Sequence, residues 1–327
     1  MSVLLVPTLG PFHILHPRYN GVTVLELTRL YQPETLYLAS YSSQELGAQR
    51  WRDQNELSFF HVLPWAERVG LPVVALDEAE HLRRQALEFR QALEQYPRGQ
   101  EFLRRASPLE EALRALLTEP MTPERLAQGG TIEALRAHHQ GYVELFGEGP
   151  ATGFRSLRMR EVAKRIPLRG ERSVVLVDVL DYPLLVEALP EGSYRFPQAH
   201  TPTELERWRS LLDRAWRLSE SDDWGLLLEG LQAVREPEAL YCAAQIYLAA
   251  GQLEDAFTLL EELLHTDFNH PAYLPGYALA RYGQLADALG QRERALRAYQ
   301  AVLGLSWAPA EAREIALAGQ RSPFRLG

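Results

Sequence analysis

One cysteine, Cys242, stands in 327 residues, and one lysine, Lys164, stands among 34 basic residues. A lone thiol excludes an internal disulfide framework and a cysteine-built zinc site. The arginine bias reads first as codon usage in a GC-rich genome, and second as ion pairing suited to high temperature. No apolar run approaches the ~18 residues of a membrane span, so a membrane is not an expected partner. The start, Met1 to Pro7, lacks the basic n-region and apolar h-region of a signal peptide, and the cytoplasm is the expected compartment. Neither Gly-x-x-x-x-Gly-Lys nor Gly-x-Gly-x-x-Gly occurs, which removes two common phosphate cradles. Positive charge is also short. The formal net charge is −9, against the positive field that broad nucleic-acid binding needs, so nucleic acid is not an expected partner.

What is present is an ordinary globular composition, 46% hydrophobic and 24% charged, which excludes wholesale disorder. The chain length suggests two domains. Residues 1–80 alternate strand and helix. Val3-Leu4-Leu5-Val6 is a buried-strand run, and a helix follows over Val22 to Tyr31, broken by Pro33. Thr35 to Ala39 is a second strand. A helix around Glu56 to Val69 ends at Gly70, and Pro72 to Leu76 is a third strand closing on Asp77. This alternation predicts right-handed crossovers and a parallel sheet. Residues 78–166 read as a helical insertion. Ser107-Pro108 and Thr122-Pro123 each place a capping residue before a proline at a first helical position. The sheet resumes at Ser173 to Val179, followed by a helix over Pro183 to Leu189 and a last strand near Tyr194 to Phe196.

The segment Pro7-Thr8-Leu9-Gly10-Pro11-Phe12-His13-Ile14-Leu15-His16-Pro17 follows the first strand. In a parallel sheet, ligands gather beyond the carboxyl ends of the strands. His13 there is a candidate metal ligand or general base; its plainer role is to cap backbone groups in a turn. Asp77 and Asp178 end predicted strands, where their plainer role is helix capping. His138 and His139 lie on a helix with their rings about 100° apart and do not converge. Glu56, His61 and Glu67 lie on a predicted helix without metal-ligand spacing.

Gly10-Pro11-Phe12-His13, the Pro33 to Ala39 strand, Arg158-Met159-Arg160-Glu161 and the Val174 to Asp181 strand follow one another in a familiar order. Over roughly residues 1–196 this layout resembles the TraB/ChaN/erythromycin-esterase-like superfamily. The resemblance implies an α/β fold with a helical insertion, and a divalent-metal site with His13 and Arg158 in catalytic positions. It also carries departures. Ala39 stands where a glutamate is expected, the helix has Met159 in place of asparagine, and Asp178-Val179-Leu180-Asp181 replaces a second Gly-x-x-His. The implied metal set is therefore His13 and Asp181, with Asp178 and Asp77 as further oxygen donors. The same histidine segment is similar to the Pro-Thr-Met-Gly-x-Leu-His-x-Gly-His signature of pantothenate synthetases, which would imply nucleotidyl transfer. Leu15 replaces a needed glycine, and no lysine-bearing partner segment follows.

From Thr203 the pattern changes to helical hairpins. Tyr247, Gly251 and Ala256 are spaced as in tetratricopeptide repeats, and Gly290, Ala295 and Tyr299 repeat the pattern. A weaker copy holds Trp208, Leu211, Ala215 and Trp224. The glycine ends one helix and the alanine lets the next pack closely. The expected architecture is thus an α/β domain over 1–200, with its insertion near 78–166, followed by tetratricopeptide-like hairpins over 203–327. The favoured function is protein interaction or assembly, built on a hydrolase-like domain with an incomplete metal site. The repeats would bind a partner protein or a second copy through Tyr273, Tyr277, Trp307 and Phe324, with Tyr282 and Tyr299 in the core. The alternative is a divalent-metal-dependent esterase or peptidase with an altered ligand set.

Overall fold

The computed structural model describes residues 3–53 and 55–325. The chain forms two compact units that divide between Glu206 and Arg207. The first contains five strands, β1 (Val3–Thr8), β2 (Thr35–Leu38), β3 (Val73–Ala75), β4 (Ser173–Asp178) and β5 (Tyr194–Arg195). All pair in parallel, in the order β3-β2-β4-β1-β5. Leu4 lies opposite Val174 and Val6 opposite Leu176. Every residue of β1 is buried, because helices cover both faces of a parallel sheet. That is why the strand shows as an unbroken apolar run.

Strand residues alternate between the two faces. Val3, Leu5, Tyr37, Val175 and Val177 share one core with Met159 and Val162 of α8 (Pro150–Arg165) and Leu185 and Val186 of α9 (Tyr182–Ala188). Leu4, Val6, Leu36, Leu38 and Leu176 are buried on the other face, where α1 (Gly21–Tyr31) packs on β1 and on α3 (Phe59–Val69). Asn20 starts α1 by accepting the amide hydrogens of Val22 and Thr23, and Gly70 ends α3 at φ 68°, as a left-handed C-terminal glycine does. A short helix, α2 (Ser43–Gly47), lies between β2 and α3.

Between β3 and β4 run α4 (Glu80–Gln95), α5 (Pro97–Thr118), α6 (Pro123–Ala127), α7 (Gly129–Phe146) and α8. Thr122 caps α6 as expected, its hydroxyl accepting from the Arg125 amide. Ser107-Pro108 does not open a helix; α5 passes straight through it. Pro108 removes one helical hydrogen bond, but α5 packs along both α4 and α7, and that packing outweighs the loss. The expected helix start at Glu56 also moves: α3 begins at Phe59, and Glu56 lies in the loop before it.

The second unit is all helical: the rest of α10 (Glu204–Trp216), then α11 (Trp224–Gln232), α12 (Pro237–Ala249), α13 (Leu253–Leu264), α14 (Leu274–Ala288), α15 (Arg292–Gly304) and α16 (Ala310–Arg321). Successive helices pack as hairpins, α12 on α13 and α14 on α15. Both hairpins close alike. Gly251 and Gly290 take φ 76° and 74°. The next amide bonds back to the fifth preceding carbonyl, Gln252 to Tyr247 and Gln291 to Ala286. Ala256 and Ala295 are fully buried at the start of the returning helices. Trp208, Leu211 and Trp224 pack on a separate apolar cluster that includes Leu212, Leu227 and Cys242. Among the described residues no helix is long and apolar enough to cross a membrane.

Candidate functional site

The carboxyl ends of β1, β2 and β4 open onto a cavity of about 310 Å3, whose lining includes Thr8, Ser40, Tyr41, Glu56, Arg155, Arg158, Asp178 and Asp181. Its position is the one expected for a ligand site in an open parallel sheet. The side chains around it divide into two groups.

His13 and Glu56 form the first. Gly10, at φ 60°, turns the chain so that the Leu9 amide donates to His13 Nε2 at 3.0 Å. His13 Nδ1 bonds to the Tyr19 carbonyl at 2.9 Å, and an imidazole that accepts at one nitrogen must donate at the other. Tyr19 stacks near the ring with centroids 5.7 Å apart. His13 is fully buried, with both ring nitrogens used by the main chain. Glu56 lies 3.4 Å from Nε2 and accepts from the Gly10 amide and from the Ser58 amide and hydroxyl. His16 bonds through Nε2 to the Leu117 carbonyl at 2.9 Å, at the end of α5.

The second group is an arginine–aspartate chain. Asp181 is fully buried. It takes Arg155 Nη1 at 2.7 Å on one oxygen, and the Ser40 hydroxyl at 3.0 Å together with Arg158 Nη2 on the other. Burial raises its pKa, and the charges of Arg155 and Arg158 more than reverse this, leaving it below the ordinary carboxylate value. Arg158 also lies 3.2 Å from Asp77. Asp77 in turn receives Arg83 at 3.1 Å and the Ala79 amide at 3.0 Å, a turn-capping bond ahead of α4. Asp178 accepts from the Leu180 amide at 2.9 Å, and Arg155 is 3.8 Å away. Its side chain is 40% exposed, yet the surrounding wall and then the charge of Asp181 push its pKa up to about 6.

The residues singled out from sequence therefore fall into separate sets. Arg158 joins Asp77 to Asp181, whereas His13 is tied to Glu56 and the main chain. Among the described residues, no three His, Cys, Asp or Glu side chains are grouped to hold a metal ion. His138 and His139 stand 5.9 Å apart with planes at 66°. His139 bonds to the Leu180 carbonyl at 2.7 Å, and burial lowers the pKa of both. Sequence reasoning set Glu56 aside for want of metal-ligand spacing and missed Arg155, Ser40 and Tyr41. Arg155 had a legible signal: it sits three residues before Arg158, hence on the same helix face. Ser40 and Tyr41 directly follow a strand end.

The helical unit carries a groove of about 640 Å3 along α10, α12, α14 and α16, lined by Trp216, Tyr241, Gln245, Tyr277, Arg281 and Glu311 among others. The Trp216 ring lies 4.6 Å from Tyr241 and 5.3 Å from Tyr277. The Tyr277 hydroxyl reaches Glu311 at 3.3 Å. The Gln245 and Arg281 side chains both turn to the Tyr241 hydroxyl. Tyr273 is half-buried, and its hydroxyl bonds to Glu238 at 2.9 Å. No family model matches this chain, and no curated protein or solved structure matches it either.

Proposed function

We propose that the chain is a binding and assembly protein. Its α/β unit retains a hydrolase-like layout with an incomplete metal site, and its tetratricopeptide-like hairpins receive a segment of a partner protein. The groove carries this reading. Three large aromatic rings line it beside the polar side chains of Gln245, Arg281 and Glu311, the mixture typical of protein interfaces. A solenoid of so few hairpins also has little interior of its own and gains from a bound partner.

The donor set at the carboxyl edge does not fit a divalent ion. His13 has no free lone pair, and the Asp181 oxygens are taken by two guanidinium groups and a hydroxyl. Asp178 alone remains open, and one carboxylate is too few for a tight site. Protein incubated with zinc or manganese and then desalted should retain far less than one equivalent, and His13→Ala should not change that. One tightly held equivalent, lost in His13→Ala, would restore the hydrolase alternative.

The binding role is tested by selecting random dodecapeptides displayed on phage against the full chain. Recovered peptides should bind Tyr277→Ala and Arg281→Ala variants at least about tenfold more weakly, equivalent to about 1.4 kcal/mol. Failure to enrich any peptide, together with strictly monomeric light scattering at micromolar concentration, would remove both the partner and the self-association forms of the reading.

A further inference from the structure

Away from the carboxyl-edge cavity, the α/β unit has an open cleft of about 1030 Å3 between the start of α4 and the length of α8. Its wall is mainly apolar. Leu82, Leu157 and Leu168 line it, and Leu157 is 46% exposed although it sits on a helix that is packed on its other side. An exposed leucine alone is ordinary, but one facing a cleft of this size among other apolar side chains is not.

The same helix supplies cations to the cleft: Arg160, Lys164 and Arg165. Lys164 is neutralised by Glu161 at 2.6 Å. Glu78, the nearby acid, is occupied by the Ser43 amide and hydroxyl at 3.2 and 2.7 Å. Asp77 is fully buried and committed to Arg83 and Arg158. Arg165 reaches the Leu76 carbonyl at 3.4 Å, and its charge acts on Glu78. Arg160 faces solvent at the rim with no carboxylate in ion-pair contact among the described residues. In a chain of net charge −9, an unpaired guanidinium beside exposed apolar side chains is a local exception to the overall charge.

We propose that this cleft binds an amphiphilic monocarboxylate, an acyl chain bearing a free carboxylate. Guanidinium groups match a carboxylate in geometry and charge, and the leucine wall removes the chain from water. The cleft reaches the upper end of the roughly 300–1,000 Å3 usual for small-molecule sites. One unpaired guanidinium suits a single carboxylate head, and the leucine side chains suit a tail rather than a polyanionic strand.

The test is calorimetric titration of the full chain with laurate below its micelle concentration. Dodecanol, dodecyltrimethylammonium, octaglutamate and phosphatidylglycerol vesicles serve as the other arms. Laurate should saturate a single site, with dodecanol and the ammonium at least about tenfold weaker. Arg160→Glu and Leu157→Asp, both at exposed positions, should each weaken laurate by about tenfold or more while leaving the circular dichroism spectrum unchanged. Absence of saturable laurate binding overturns the proposal, as does equal binding of dodecanol or indifference to both variants. Preferential binding of octaglutamate or of the vesicles overturns it in favour of a peptide or a membrane surface.

Discussion

Replacing Glu238 with alanine should destabilise the helical unit by about 3–5 kcal/mol, the usual cost of leaving one member of a buried ion pair alone. Glu238 is 2% exposed and Arg209 4%. The Arg209 guanidinium meets both Glu238 oxygens, at 2.7 and 3.0 Å, and Asp213 at 2.6 Å. The Trp216 indole and Tyr273 hydroxyl donate to the same carboxylate at 2.5 and 2.9 Å. Removing Glu238 strands three donors at once and leaves the arginine with Asp213 as its remaining carboxylate. The network also sets a pH dependence. Burial raises the Glu238 pKa, but the Arg209 charge and the donated bonds reverse this and hold it below the ordinary value. A depressed folded-state pKa contributes stability that is fully present above the unfolded value, about 4.3, and is lost as pH falls through the folded pKa. Thermal melts between neutral and acidic pH should show that loss in the parent protein and a smaller one in Glu238→Gln. A Glu238→Ala melting curve that matches the parent would mean the network is not closed in solution.

This network also shows where the sequence was opaque. Arg209 and Glu238 lie on two helices and Tyr273 in the turn before α14, far apart in the chain. Nothing local marks Tyr273 as a partner of that buried carboxylate. The β-strands were legible because both sheet faces are covered, so buried strands appear as apolar runs such as Val3 to Val6. Their order was not: β4 enters between β1 and β2 after a long helical excursion, and no short-range pattern records such a pairing. The hairpins were legible through Gly251, Gly290, Ala256 and Ala295, because a left-handed turn and a close helix contact admit few residue types. At the carboxyl edge, position was readable and partnership was not. His13 stands where a ligand site was expected, but its bonds to Leu9 and Tyr19 depend on the turn geometry that Gly10 creates.

The second large effect centres on Tyr299, which is fully buried. Its hydroxyl donates to Asp287 at 3.1 Å, and Asp287 also holds Arg292 at 2.9 Å and the Phe324 amide at 2.9 Å. Two glycines press on its ring. A Cβ added to Gly283 of α14 would lie 2.5 Å from ring atom Cε1, and one added to Gly319 of α16 would fall inside contact distance of Cζ. A ring held from both sides cannot move aside for either. Tyr299→Ala should cost about 3–5 kcal/mol, as truncating a buried aromatic side chain does. Gly319→Ala should cost about 1–3 kcal/mol by overpacking, although alanine is the better helix former by about 1 kcal/mol. The two changes must couple, because the clash requires the ring. In the Tyr299→Ala background, Gly319→Ala should become neutral or stabilising, since the new methyl enters the cavity and the helix gains a better residue. A double-mutant cycle by chemical denaturation measures this coupling directly. Strict additivity would mean that α16 does not close on α14 and α15 through this ring.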